Sequence, residues 1–379
     1  MSSPATPSKP VLRPALRLQE GGLLVVIVLL GLLLTFFGGT VKRAEFRENA
    51  AGETERVMVE KNKFLNARNL INLAKDTSFI AIMAVGMTFV IVSGGIDLSV
   101  GAIYALASVF GALVFHYYGP EGPAAGSGMM GAVLGTLACI GAAILCGLLN
   151  GSMIVVLRVH PFIITLGMMA ILRGVAFVLT KGQSIGSFPA AFRDVVANPT
   201  LPGSDGRVSL AVGGVSMVPL MVMVLVTVLG GIYLSRMAAG RRIYAIGGNE
   251  LASRYSGVRV GLVKLSVYVI SGLTAGLAAL LALGYYGSAS SGDGQGYELN
   301  VIAAAVVGGA SLSGGKGSAL GALLGALVIQ MISTGIVILG IDQNYSQIII
   351  GAVVILAVVL DQLNSWLAKR RLVARTGAH

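Results

Sequence analysis

Residues 77–101 read TSFIAIMAVGMTFVIVSGGIDLSVG. Asp76 stands directly before this run, and Gly94-Gly95 closes its first, uncharged part. That part comes close to the ~20 apolar residues that cross a hydrocarbon core of ~30 Å, so it is expected to span a membrane. Asp97 follows almost at once, and Leu98 opens a second apolar block that runs to His116. Two readings of Asp97 stand side by side: a cap for the helix from Leu98, and an ionisable group at membrane depth with a part in transport.

Further apolar blocks lie on either side. The set is 21–38, 77–94, 98–116, 129–157, 163–180, 211–234, 263–284, 298–313, 317–338 and 346–361, each bounded by charge, Gly or Pro. Open strands cannot satisfy their backbone in lipid. All ten blocks are therefore expected as helices, and the chain as an all-α integral membrane protein with about ten transmembrane helices. Composition agrees: 55% of the 379 residues are hydrophobic and 11% charged, against about a quarter charged in soluble domains, and mean hydropathy is +0.85. Glycine, at 53 residues and often inside apolar blocks, would weaken helices in water but lets membrane helices approach closely. The first block continues through Leu33, Leu34, Phe36 and Phe37 without a small-residue cleavage site, so it is expected to remain as a helix.

Lys and Arg collect in cytoplasmic loops. Placing the N-terminus inside puts Lys9, Arg13 and Arg17, the cluster from Arg236 to Lys264, and Lys369, Arg370, Arg371 and Arg375 in the cytoplasm. Both the N- and C-termini are then cytoplasmic. The chain reads as a single transmembrane domain, 1–379, with a cytoplasmic tail at 1–20, an external segment at 41–76, a cytoplasmic loop at 236–262 and a basic cytoplasmic tail at 362–379. In the external segment, eight basic residues are nearly cancelled by Glu45, Glu48, Glu53, Glu55, Glu60 and Asp76. The net charge of +11 thus comes from loops flanking spans, and no nucleic acid partner is implied.

Enzymatic chemistry finds no support. There is no Ser/His/Asp, Cys/His or paired-carboxylate arrangement, and His116, His160 and His379 are too scattered for a metal site. Cys139 and Cys146, seven residues apart in one block, read as buried packing residues. Gly314-Gly315-Lys316-Gly317-Ser318 looks like a phosphate loop, but Ala310 stands where the motif needs its first Gly and Gly317 where Ser or Thr must follow the Lys. The string from Gly94 to Gly101 is echoed from Gly308 to Gly315; a structural repeat and convergent Gly-rich turns both produce such an echo.

Polar groups at membrane depth are costly and so are functional candidates. Asp97, Asn150, Thr165, Arg173, Glu298 and Asn300 form the candidate substrate pathway. Arg173, eight residues before Lys181, either snorkels to an interface, joins a buried structural pair or lines the path. Glu298, expected near an outer helix end, either binds neighbouring backbone or lines the path. Between two spans, residues 240–258 read GRRIYAIGGNELASRYSGV. Asn249 suits an N-cap, Glu250 the first turn and Gly257 the position past the end, giving a two-turn helix outside the membrane. An ordinary polar loop with a capped turn reads equally well.

That loop resembles the cytoplasmic coupling loop of permeases from bacterial ATP-binding cassette (ABC) importers for ribose, galactose, xylose and related monosaccharides, the family grouped with branched-chain amino acid permeases. Three further strings carry the resemblance: Ala84 to Thr88 leading into Gly94 to Gly101; Pro161 to Met168 with Arg173-Gly174; and Tyr297-Glu298-Leu299 through Gly308-Gly309 to Gly314-Gly315. The resemblance covers about residues 62–361. It implies that Gly247, Gly248, Asn249, Glu250, Ala252, Tyr255 and Gly257 couple the permease to an ATPase, with Ala252 facing that partner. It also implies a second permease copy, a cytoplasmic ATP-binding subunit that holds ATP and Mg, a periplasmic or lipoprotein sugar-binding protein, and a location in the lipid of the bacterial inner membrane. No cofactor is expected in this chain. Asn300 departs from the Asp common after Glu-Leu in the family, Ala252-Ser253 from Ala-Ala, and the segment 45–61 is unusually long and charged. The nearest alternative is a branched-chain amino acid permease; a secondary transporter would need ion-coupling groups near the midplane.

Orientation is directly testable. Ser2→Cys and Thr376→Cys variants should not react with an impermeant thiol reagent applied to intact cells; labelling of both from outside would invert the topology.

Overall fold

The computed structural model describes residues 18–48, 54–197, 199, 210–212, 214–356 and 358–359. The expected cytoplasmic tails, 1–20 and 362–379, lie outside the described residues except for Leu18 to Glu20, which already belong to a helix. In chain order the elements are α1 Leu18–Phe37, β1 Thr40–Glu48, β2 Thr54–Asn62, α2 Ala67–Val92, α3 Val100–Tyr117, α4 Gly128–Leu157, α5 Pro161–Thr180 and α6 Ala190–Val196. There follow β3 Ala211–Val212, β4 Val215–Ser216, α7 Val218–Arg236, α8 Ala238–Gly248, α9 Glu250–Tyr255, α10 Val260–Tyr286, α11 Tyr297–Val307 and α12 Ala319–Ile338, then a short apolar helix α13, Tyr345–Leu356. Among the described residues eight helices are long and apolar enough to cross a membrane: α1, α2, α3, α4, α5, α7, α10 and α12. The blocks at 298–313 and 346–361 meet shorter helices, α11 and α13.

Ser318 Oγ, just before α12, donates to Glu20 Oε1 of α1 at 3.0 Å, while Leu34 and Met331 pack together with Phe64 and Leu73 at the far end. So α1 and α12 pack side by side in parallel, and α2 runs antiparallel to α12 on another of its sides. The last residue of α2, Val92, accepts the Gly315 N–H at 2.9 Å. The end of the bundle that holds Val92, Gly315, α8 and α9 is called the loop face below. The other end carries the antiparallel β1–β2 hairpin, in which Thr40 pairs with Asn62 and Glu48 with Thr54.

The hairpin accounts for much of the long charged segment between the first two blocks. The last ten residues of that segment, 67–76, already belong to α2, which starts at Ala67. Asn66 caps it by accepting the Asn69 N–H at 2.9 Å, and Lys75 is accommodated near that end by Asp76 (2.8 Å) and the Tyr285 ring (4.4 Å to its centroid). From Phe79 to Val92 every residue of α2 is buried, as an all-round apolar helix must be in a bundle. The outer helices α1, α4, α5 and α7 turn large apolar side chains outward, where lipid is their solvent.

Small residues close the helix contacts. Gly147 and Gly151 of α4 fit against the backbones of Tyr268 and Leu265 in α10, and Gly272 fits against the carbonyl of Ala143. Gly308, Gly321 and Gly325 do the same between α11 and α12. Without a hydrophobic force between helices in lipid, such close approach is the principal source of association.

The Gly-Gly echo is a shared helix ending. Gly94 N–H donates to Ile91 O and Gly95 N–H to Val90 O; Gly309 N–H donates to Val306 O and Ala310 N–H to Ala305 O. Gly94 (φ +83°) and Gly309 (φ +94°) take the left-handed conformation that this cap requires. The structural register therefore pairs Gly94 with Gly309, one residue away from the echo in the sequence, and α3 starts sooner after its cap than α12 does.

The packing predicts a contrast. Gly272→Leu should force α4 and α10 apart and lower the thermal stability of the purified protein by an amount equivalent to ~1–3 kcal/mol. Gly141→Ala, where an added carbon meets nothing within 4 Å, should leave the melting temperature unchanged.

Candidate functional site

The candidate pathway residues form two clusters. In the first, the chain between α2 and α3 turns back into the bundle and carries Asp97 with it. Asp97 is wholly buried. One carboxylate oxygen accepts both the N–H (3.0 Å) and hydroxyl (2.6 Å) of Ser99, and the other accepts the Ser271 hydroxyl of α10 at 2.9 Å. Asn150 of α4 donates to Ser99 Oγ at 2.7 Å, while its own Oδ1 is buried without a partner. Thr165 of α5 donates to Pro161 O at 3.0 Å and lies 3.5 Å from Ile96 O. Asp97 thus binds Ser99, the residue just before α3, without capping an N–H of the helix itself. The helix begins at Val100 rather than Leu98, and the carboxylate ties Ser99 to α10, while Ser99 Oγ carries the link on to Asn150 of α4.

Charge-assisted hydrogen bonds are roughly twice as strong as neutral ones, and a carboxylate taken out of water is tolerable only when its lone pairs are used. Ser99, Ser271 and Tyr268, whose hydroxyl lies 3.4 Å from Ile96 O, escaped the sequence reading. The available signal was a hydroxyl in the middle of an apolar block, but serine is common in spans and bonds its own helix just as well.

The second cluster surrounds Arg173. It neither snorkels nor pairs with one carboxylate: its guanidinium donates to the carbonyls of Ser291 (3.1 Å), Asp293 (2.7 Å) and Gly294 (3.4 Å). Glu298 lies in the first turn of α11. It makes no hydrogen bond among the described residues, its Oε2 being buried and unpartnered, so it does not bind neighbouring backbone. Asn300 is half-buried one turn into α11. Gly101 joins the clusters, for a side chain there would strike Glu298 Oε2 and the carbonyl of Gly294.

On the loop face, Asn249 caps α9 by accepting the Ala252 N–H at 2.9 Å, with Glu250 in the first turn and Gly257 at φ +82° just beyond. Leu251, Ala252 and Tyr255 are exposed, Tyr255 at 88%. The preceding stretch is a second helix, α8, which the sequence reading missed. Its Gly240, Gly247 and Gly248 lower helix propensity and hide a buried stripe of Gly240, Ile243 and Ile246. Gly247 is wedged against the carbonyl of Val92 and the N–H of Gly315, and the Tyr244 hydroxyl donates to Gly317 O at 2.7 Å. The near-miss phosphate loop thus serves as packing: Gly314 and Gly315 donate their N–H groups to Ser311 and Val92.

Among the described residues, eight long apolar helices, with a buried non-helical stretch between them and a pair of short helices on one face, describe a multi-pass membrane protein. The family described as "Branched-chain amino acid transport system / permease component" matches residues 69–358, and the chain belongs to it. It is 40% identical to the ribose import permease protein RbsC of Escherichia coli K12 over 79% of this chain and 87% of that one. It is 34% identical to the fructose import permease protein FrcC of Rhizobium meliloti (81% and 80% covered) and 35% to the D-allose transport system permease protein AlsC of Escherichia coli K12 (80% and 86%). No solved structure matches the chain.

Removing the Ser271 hydroxyl leaves Asp97 one donor short. Ser271→Ala should destabilise the protein by about 1.5–3 kcal/mol, read as a lower melting temperature in detergent, and Asp97→Leu by more, since it strands three donors at once.

Proposed function

We propose that this chain is the membrane-spanning subunit of an ABC importer that carries a monosaccharide or related polyol across the bacterial inner membrane. Family membership together with sugar-import relatives at 34–40% identity over most of the chain carries the reading. Those relatives favour a sugar over a branched-chain amino acid. In this reading the chain crosses the membrane ten times, α11 and α13 completing two crossings, with both termini cytoplasmic and the β1–β2 hairpin outside. A second permease copy, a cytoplasmic ATP-binding subunit and an external sugar-binding protein complete the machine. ATP and Mg belong to the ATP-binding subunit.

The loop face supports a coupling role. Exposed Leu251, Ala252 and Tyr255 give α9 a surface that a partner could grip. Lys264 of α10 binds Glu250 at 2.7 Å, and Gly247 bears on the ends of α2 and of the loop before α12. A push on α9 would therefore reach α10, α2 and α12 together. Two of these, α2 and α10, bound the Asp97 cluster.

Reconstituted with its ATP-binding subunit, the permease should take up sugar in an ATP-dependent manner that survives a collapsed ion gradient. Asn249→Ala, which costs ~1 kcal/mol of local helix stability, and Ala252→Trp should reduce sugar-stimulated ATPase and uptake while membrane levels stay normal. Unchanged stimulation and uptake in both variants would move the coupling contact elsewhere.

A further inference from the structure

The stretch from Ser288 to Gly296 is not helical, yet it enters the bundle. It starts at the hairpin-bearing end, where Ala289 and Ile185 exchange backbone hydrogen bonds of 2.8 and 2.9 Å. By Gly294 it has reached the start of α3, against Gly101 and Tyr104, about 24 Å along that helix from Tyr117 at ~1.5 Å per residue. Arg173, which holds it, lies about 10 Å inward from the end of α5 at Thr180 by the same measure. From Tyr297, α11 covers the remaining depth to the loop face, about 16 Å.

Backbone outside a helix is tolerated at membrane depth only where protein buries it or where it lines a water-filled cavity. This stretch is half covered. Ser291 and Gly294 are buried, whereas Gly292, Gln295 and Leu299 are exposed. The open side carries backbone amides, the Gln295 amide and, at its margin, half-buried Asp293 and Asn300. These groups both donate and accept hydrogen bonds, as the hydroxyls of a neutral polyol require.

We propose that the open side of the Ser291 to Leu299 segment faces the water-filled path taken by the sugar, and that Arg173 is the positioning residue that holds it there. The proposal rests on the importer reading. The guanidinium reaches three carbonyls within four residues from one rigid fork, which a lysine ammonium on a flexible stem does not reproduce. Asp293 and Glu298 supply the nearby negative charge. Two further features hold the inner side: Gly294 (φ +66°) and Gly296 (φ +81°) are left-handed, and a side chain at Gly294 would lie 2.7 Å from the Tyr104 ring. Gly292 has no such close neighbour, so the open side accepts a substitution.

The test uses the complete complex in proteoliposomes. Cys139 and Cys146 are buried, so the unmodified chain gives little background. Gly292→Cys and Gln295→Cys should react with a small anionic methanethiosulfonate, and saturating ribose or fructose, whichever the complex transports, should slow the reaction about tenfold by excluding water from the site. Adding Arg173→Met should abolish that protection and lower uptake about tenfold or more, as loss of charged hydrogen bonds implies; Arg173→Lys should not restore either. Reaction only with a lipid-soluble maleimide, or a disulfide to the same residue of a second copy without aqueous reactivity, would overturn the proposal. If uptake remains ATP-dependent in those cases, the importer reading stands and only the loop assignment falls. Aqueous reactivity without any ATP-dependent sugar uptake would instead overturn the importer reading and remove the sugar from the proposal.

Discussion

In hydrocarbon a peptide group that leaves its helix has no water to turn to, and each one left unpaired costs roughly several kcal/mol. Two stretches of this chain leave their helices in the interior, between α2 and α3 and between α10 and α11, and most of the polar chemistry in the bundle serves to keep them there. Asp97 takes the free N–H of Ser99 at the first break. Arg173 takes three carbonyls at the second, of which Gly294 O also accepts the Tyr297 N–H. A carboxylate answers donors and a guanidinium answers acceptors, so the two breaks are complementary solutions to one constraint. Gly101 lets them meet, since any larger residue would separate the start of α3 from Gly294 and Glu298.

Glycine does the corresponding work on the loop face. The carbonyl of Val92, the N–H of Gly315 and the α-carbon of Gly247 converge at distances only a hydrogen-substituted α-carbon permits. Three segments far apart in sequence are thereby locked backbone to backbone. Because backbone contacts are stiffer than side-chain contacts, α8 is held firmly to the end of α2 and to the loop before α12. The same density of glycine that would weaken these helices in water makes the assembly rigid in lipid.

Much of this was legible before any coordinates. Eight of the ten apolar blocks correspond to long helices, because length and hydropathy suffice when lipid is the solvent. The cap of α9 was legible too, since Asn249 and Gly257 act on backbone within a few residues of themselves. Less legible were α8, where glycines mask the buried stripe, and the extent of α11. The block 298–313 looked like a full crossing because composition does not distinguish a helix from the glycine-rich turn that ends it at Gly308. The β1–β2 hairpin lay in a segment whose charges reveal exposure but not pairing.

The sequence by itself determined the solvent of this protein, the positions of its long spans, its family and the capped helix on the loop face, for these depend on composition and on contacts between near neighbours. Only the tertiary structure decided which polar residues meet. Ser271 lies 174 residues from the Asp97 it binds, and Arg173 lies 120 from Asp293. A serine or arginine inside an apolar block has the same local signature whether it turns to its own helix, to the membrane surface or to a distant loop. The partner is chosen by how the helices pack, and that packing is set by small residues whose neighbours no local pattern reveals.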